Sequence, residues 1–446
     1  MAADEVSVGA DTSKDGRRPR MRGMRALASS HRPTLTSILR LRTFEALQFR
    51  DFRLLWLGQA AASSGQWMDQ VTRGWLMYEL TNSPLQLGLV SASRAIPLIL
   101  FSVVAGAVAD RHGRKAQLVI AQITNAVLNF VLAALVVTHH VRPWHVYATA
   151  LLAGVVMSFQ QPARQAMISD LVDEAHLANA VGLNSMVFNA SRSVAPALAG
   201  VLIAAFDVGG SYILQGVIFV VATVWTVQMN VPDPREQTGH ARGRGDGSIL
   251  GSTIEGGRYI WANRAVRSVI LIVLVPSFLG QPYTSLMPVF ARDILHVGAT
   301  GQGLLLTFVG LGALVGAFAV ATVGNTGRQG LLMLLGAAIF GLALVGFSAS
   351  PWFVVSLGLM ALSGLCNVTY GTQANTLLQV HTPSAIRGRV MGVYFLSRGL
   401  VPLGSLVAGA MASALGAPHT VALMGGACAL LALWMLVSAP DLRRMR

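Results

Sequence analysis

Twelve long apolar stretches recur along this chain, each bounded by Gly, Pro or charge, and no other feature restricts its folding as severely. They fall at roughly 54–79, 85–108, 117–138, 144–164, 180–206, 211–230, 266–291, 301–323, 329–349, 352–376, 387–415 and 419–438, each near the ~20 apolar residues that carry a helix across a bilayer. In hydrocarbon the backbone must satisfy its own hydrogen bonds, so such stretches fold as helices. Only 12% of the 446 residues are charged, about half the share in a soluble protein, which excludes a soluble enzyme of several domains. The expected fold class is all-α integral membrane with twelve transmembrane helices.

Charge placement orients these spans, because Lys and Arg near membrane segments stay on the cytoplasmic side. With both termini inside, 27 of the 33 Lys and Arg fall in inside segments and only Arg142 and Arg292 fall outside. The other four, Arg73, Arg94, Arg192 and Arg398, lie within spans. The net charge of +14 is therefore a topology signal, and no nucleic-acid partner is expected. The chain divides into a disordered basic N-terminal tail (1–43), a six-helix bundle (44–230), a cytoplasmic linker with an interfacial helix (231–265), a second six-helix bundle (266–438) and a cytoplasmic tail (439–446). Ser191, Arg192 and Pro196 recur as Ser397, Arg398 and Pro402, offset by 206, so the halves repeat in the same direction and a substrate path is expected at their interface.

Between spans two and three stands GAVADRHGRK, residues 106–115. Gly106 permits close helix approach, Asp110 suits a helix N-terminus or a cation, Gly113 makes a tight turn, and Arg111, Arg114 and Lys115 hold the loop inside. The stretch resembles the signature loop of the major facilitator superfamily, G-x-x-x-D-R-x-G-R-[RK], at every position. The segments WMDQVTRGWLMYELTNSPLQLGLV, QPARQAMISDLV, LANAVGLNSMVFNASR and RGRVMGVYFLSRGLVPLG further resemble its enterobactin-exporter-like branch, the transmembrane secretion effectors. That resemblance implies two parallel-repeat six-helix bundles, a place in the bacterial cytoplasmic (inner) membrane, and export of a small molecule by proton antiport. It also implies that residues 106–115 bridge the two halves on the cytoplasmic side. APALAG at 195–200 is similar to the antiporter motif G-P-x-x-G-G, keeping Pro196 and Gly200 for helix packing, although Pro and small residues are common in any membrane helix. Span four departs from some drug antiporters in lacking a mid-membrane Arg; Arg164 falls at its inner end, among the inside charges.

A charged side chain at a helix centre costs at least about 2.5 kcal/mol unless it faces a cavity or a partner. Asp69 and Arg94 lie at similar depths, about 15 Å from the outer ends of their spans, and are candidates for a pair. Arg73 sits four residues after Asp69 on the same face, giving Asp69 a second cationic neighbour. Asp69, the deepest carboxylate, is either a structural ion pair or the proton-coupling residue. Arg192 and Arg398 either bind helix carbonyls or, with Arg94, shape a cavity for an anionic substrate. Gln66, Gln70, Asn184, Gln281, Tyr283 and Tyr394 complete the candidate cavity, whereas spans nine and twelve carry almost no polar side chains and are expected to face lipid. Three prolines, Pro276, Pro282 and Pro288, should bend span seven. Glu79 and Asp170 are expected to be solvated or to gate.

Cys366 and Cys428 lie in apolar segments, and no disulfide framework or metal site is indicated. No Walker motif, nucleophile–base pair or cofactor site is visible either. The reading is a secondary active exporter, not an enzyme, of a siderophore, drug or secondary metabolite, with a small molecule, protons and the bilayer as partners. Its rivals are an uptake permease or lipid flippase of the same fold, and a non-transporting membrane sensor or anchor.

Overall fold

The computed structural model describes residues 42–111, 113–231, 249–323, 328–443 and 445. The expected tail at 1–43 and the polar part of the linker fall largely outside them. α1 (Arg50–Thr81), α2 (Pro84–Arg111), α3 (Arg114–Val137) and α4 (Pro143–Leu171) precede α5 (Glu174–Val227), whose 54 residues form two arms. Phe206 and Asp207 leave helical backbone angles and separate the arms. A short α6 (Ile249–Ala262) then leads to α7 (Arg264–Ile294), α8 (Gly298–Val323), α9 (Gln329–Ala349) and α10 (Phe353–His381). α11 (Ser384–Leu415), α12 (Ala417–Ser438) and the single turn α13 (Pro440–Arg443) complete the chain.

Counting both arms of α5 and leaving out α6 and α13, the chain makes twelve crossings. Among the described residues eight helices, α5 included, are long and apolar enough to span a membrane on composition alone. The remaining three, α1, α2 and α4, are the ones that carry Asp69, Arg73, Arg94 and Arg164. Of these, α1, which holds both Asp69 and Arg73, is the least hydrophobic. Several helices also run past the expected ends, because protein contacts continue their helical turns beyond the apolar segment. α4 does so to Leu171, which draws Arg164 into the helix.

Tight turns mark one end of the molecule. Asn82 (φ 47°), His139, Asp207, His296, Gly298 and Gly416 are the described residues with positive φ, and all lie at connections of that end. Asn82 closes α1 in the left-handed region, its N–H donating to the Tyr78 carbonyl. The opposite end carries Arg114, where α3 begins. At the start of α7, Asn263 caps the helix, its side-chain oxygen accepting from the N–H groups of Ala265 and Val266. Further along, α7 loses regular α-helical geometry and passes through π and 3-10 turns over 276–294, each of the first three beginning at or beside Pro276, Pro282 or Pro288. The irregular turns begin where the prolines stand.

Helices α1–α5 pack chiefly among themselves and α7–α12 among themselves, giving two six-helix bundles. Two seams join them, α2 against α11 and the first arm of α5 against α8. Under the internal repeat each seam maps onto the other. Lipid offers no hydrophobic drive between helices, so close backbone approach carries the contact. A Cβ at Gly88 would lie 2.4 Å from the Ser405 carbonyl oxygen, and one at Gly200 would lie 2.5 Å from that of Ala299. Both contacts lie toward the Asn82 end. There the Tyr78 hydroxyl also donates to the Asp293 carboxylate, the Arg292 guanidinium stands 5.5 Å from the Tyr78 ring centroid, and the Leu85 N–H meets Ser413 Oγ at 3.1 Å.

The outer surface is apolar where lipid would lie. α12 exposes Leu423, Leu430, Trp434 and Val437, as expected for a lipid-facing helix. α9 differs: it exposes Leu335, Ile339 and Leu342, yet more than half of its apolar window is buried against α10 and α12. A helix without polar side chains can pack against protein as readily as against lipid.

Candidate functional site

Asp69 and Arg73 project from one face of α1, four residues apart, and Arg94 reaches them from α2. Arg73 holds Asp69 with two bonds, Nη2 to Oδ1 at 2.8 Å and Nε to Oδ2 at 3.2 Å. Its Nη1 donates to Thr149 Oγ1 at 2.7 Å and to the Val146 carbonyl at 3.2 Å, both on α4. Both Arg73 and Asp69 are buried, with side chains 5% and 7% exposed. Arg94 is differently placed. It touches Asp69 at 3.4 Å and the Met157 sulfur at 4.0 Å, and its side chain is 24% exposed. One carboxylate between two guanidiniums leaves a surplus positive charge, and Arg94 is the group that can present it.

Arg94 borders a cavity of about 260 Å³ between the bundles. Gln66, Gln70 and Trp67 of α1 form one wall; Thr284, Ser285, Gln302 and Ser405 face them from the second bundle. Gln66 is held by a bond from its Nε2 to Gln160 Oε1 at 3.0 Å. A second cavity, of about 710 Å³, shares Phe188 and Val401 with the first and reaches Thr376, near the Arg114 end of α10. Arg192, Gln281, Asn367, Tyr370 and Tyr394 border it. The Arg192 guanidinium lies 5.8 Å from the Trp67 ring centroid, so Arg192 stands where the two cavities meet.

Of the expected cavity residues, Gln66, Gln70 and Arg94 therefore border the first cavity, and Arg192, Gln281 and Tyr394 the second. Asp69 lies behind Arg94 as its ion partner. Asn184 borders neither cavity. Nor does Tyr283, which is buried in the second bundle with its hydroxyl 3.3 Å from Ser363 Oγ and its ring against Phe340. The side chain of Arg398 lies outside the described residues.

The basic loop is described in part. Gly106, Asp110 and Arg111 are helical, with side chains outside the description. Gly113 precedes α3, Arg114 Nη1 donates to Asp170 of α4 at 2.5 Å, and Lys115 Nζ donates to the Val227 and Met229 carbonyls, each at 2.7 Å. Arg114 and Lys115 thus tie the first bundle to itself, and the bridging expected of Asp110 and Arg111 falls on side chains outside the description. Asp170 is paired rather than solvated. Arg164 also moves: it is buried within α4, where Nη1 donates to Gln59 while Nε and Nη2 have no partner. Pro196 and Gly200 fall on the seam between α5 and α8, and the first bundle's Ala299-facing contact is Gly200 itself.

Gln302 escaped the sequence reading. It is 2% exposed, its Oε1 is buried without a hydrogen-bond partner, and it borders the cavity. The signal was a single amide at the start of a strongly apolar stretch, GQGLLLTFVGLGALVG.

Twelve helices in two repeat-related bundles around a cavity with one buried ion cluster define a multi-pass membrane transporter of the major facilitator type. The profile of the transmembrane secretion effector family matches residues 42–446, and the chain belongs to that family. Among its relatives are the staphyloferrin A transporter of Staphylococcus aureus, 25% identical over 81% of this chain and 89% of that protein, and the multidrug efflux pump Tap of Mycolicibacterium fortuitum, 25% identical with the same coverage. Macrolide efflux protein A of Streptococcus pyogenes is 22% identical over 84% of this chain and 92% of its own. In solved structures the fold is shared with a variant of the nucleoside transporter NupG, at TM-score 0.69 and 12% identity, covering 86% of this chain and 99% of that one. A bacterial homologue of the human lysosomal transporter Spinster matches at TM-score 0.68 and 14% identity, over 89% and 96%.

Proposed function

We propose that this protein is a secondary exporter of a small anionic molecule, working by alternating access of its two bundles around the Arg94 cavity. The observation that carries the reading is the contrast between the two arginines beside Asp69. Arg73 spends its donors on Asp69, Thr149 and Val146, whereas Arg94 has one long ionic contact and an open side toward the cavity. Arginine stays charged in proteins, so a cavity-facing guanidinium recruits an anion. The relatives named as drug and macrolide efflux proteins support export, and siderophores, drugs and secondary metabolites are the cargo classes of this reading.

The excess of Lys and Arg at the Arg114 end supports placing that end, and both termini, in the cytoplasm of a bacterial inner membrane. The seams then close the outer side while the larger cavity extends inward, so the bundles stand in an inward-facing state. In this reading residues 44–230 and 266–438 are the two moving bodies, and α6 rests on α11 beside the cytoplasmic end.

Proton antiport through Asp69 has a sign that follows from charge. With Asp69 ionised the cluster carries +1; protonation raises it to +2 and strengthens the hold on an anion. Antiport requires the reverse, that a proton weaken cargo binding. An anionic cargo and antiport through Asp69 therefore exclude each other, and the geometry supports Asp69 as the ion pair that positions Arg94. An anion leaving an inside-negative compartment gains about 2.3 kcal/mol per charge per 100 mV, which supplies a driving force without Asp69 titrating.

Inside-out vesicles containing the protein and labelled aromatic carboxylates test this. Accumulation should survive nigericin, which collapses the pH gradient, fall with valinomycin and potassium, and vanish in Arg94→Gln. Loss of accumulation with nigericin alone would restore proton antiport. Expulsion instead of accumulation would make the protein an uptake permease.

A further inference from the structure

The first cavity is polarised between its two bundles. The charged side chains that border it, Arg73 and Arg94, come from the first bundle, as do Asp69 behind them and Arg192 where the two cavities meet. The facing hydroxyls of the second bundle have spent their protons on their own helices: Thr284 donates to the Gln281 carbonyl, Ser285 to Pro282 and Ser405 to Val401. What remains on those oxygens is lone pairs. Gln302 adds a buried carbonyl oxygen with no donor, a state that costs free energy until a ligand supplies one. Apolar surface from Trp67, Leu87, Phe188 and Leu306 lies between the two walls.

We propose that the cargo carries, besides its anionic group, a hydrogen-bond donor at the far side of an apolar body: a hydroxyl or N–H that reaches Gln302 while the anion sits on Arg94. Gln302 is then a specificity-determining residue, and the molecule bridges the two bundles when bound. The proposal rests on the anionic-cargo reading above. A ligand that spans both walls also gives the bundles a reason to respond to cargo, since only differential contacts shift a conformational equilibrium.

Two probes of one shape separate the terms: phenylpropanoate, an anion with no distal donor, and para-hydroxyphenylpropanoate, which adds one. Binding is measured by competition on the full-length protein in nanodiscs. The hydroxylated probe should bind about fivefold more tightly, the worth of one hydrogen bond. In Gln302→Met that advantage should fall to about onefold while both probes still bind. Thr284→Val, which removes a neighbouring acceptor, should reduce it about twofold and serves if Gln302→Met does not fold. Equal affinity of the two probes for the unmodified protein, or an undiminished advantage in Gln302→Met, would overturn the donor proposal and leave the Arg94 anion site standing. Failure of both probes to bind, or unchanged binding in Arg94→Gln, would overturn the anion reading and this inference with it.

Discussion

The two bundles meet the same cavity with opposite chemistry. Among the described side chains, the first bundle brings the whole ion cluster, Asp69, Arg73 and Arg94, and the second brings Gln302 and hydroxyls that accept. The repeat that relates Arg192 to Arg398 did not duplicate this cluster: α7, the counterpart of α1, carries no carboxylate before Asp293 at its far end. A duplicated backbone has thus become a site with two unlike walls, one for charge and one for neutral recognition. The lesson is that symmetry of fold fixes where a cavity lies, while its chemistry is free to diverge between halves.

The sharpest way to break the comparison is within the charged wall. Arg73→Met leaves Asp69 buried with only the longer Arg94 contact, and should destabilise the protein by about 3–5 kcal/mol in thermal or denaturant unfolding. If the protein tolerates that change as well as it tolerates Arg94→Gln, the two arginines are not divided into structural and ligand roles. Next in size, Arg94→Gln should lower accumulation of para-hydroxyphenylpropanoate at least about tenfold with the unfolding midpoint little changed, because a charge-assisted contact to cargo is lost and a buried one is not.

Smaller effects belong to the seams. Gly88→Val would drive a side chain into the Ser405 carbonyl and should force α2 from α11 at the Asn82 end. Cys366 and Cys428 are both buried, so a single reactive cysteine at Ser91 can report the opening, and maleimide labelling there should rise about tenfold. Tyr78→Phe removes one bond to Asp293 across the bundles and should speed the same labelling only about fivefold, the worth of an ordinary hydrogen bond. Equal labelling in all three proteins would show that this end does not gate the cavity.

Much of the fold was legible in sequence because a bilayer leaves the chain few choices. Apolar length, the Lys and Arg bias and the Arg192/Arg398 repeat together led to twelve helices in two bundles. The Asp69–Arg94 pairing was also legible, since depth follows from residue count at a fixed helical rise. Other parts were hidden. Tyr283 looked like a cavity residue but turns toward Phe340, and Arg164 looked like a loop charge but lies buried against Gln59. Gln302 was passed over as a lone amide. In each case the missing quantity was the direction of a side chain around its helix axis.

By itself, the sequence determined which segments cross the membrane, that the halves are repeats, and that charges must sit inside the bundle. Only the tertiary structure decided which arginine Asp69 holds firmly, which one keeps the more exposed side chain at the cavity, and that the hydroxyls of the wall opposite are left as acceptors. The physical reason is that lipid and the packed interior are both apolar. A membrane helix therefore carries little periodic mark of which face turns to its neighbours, and that choice is made only when the helices meet.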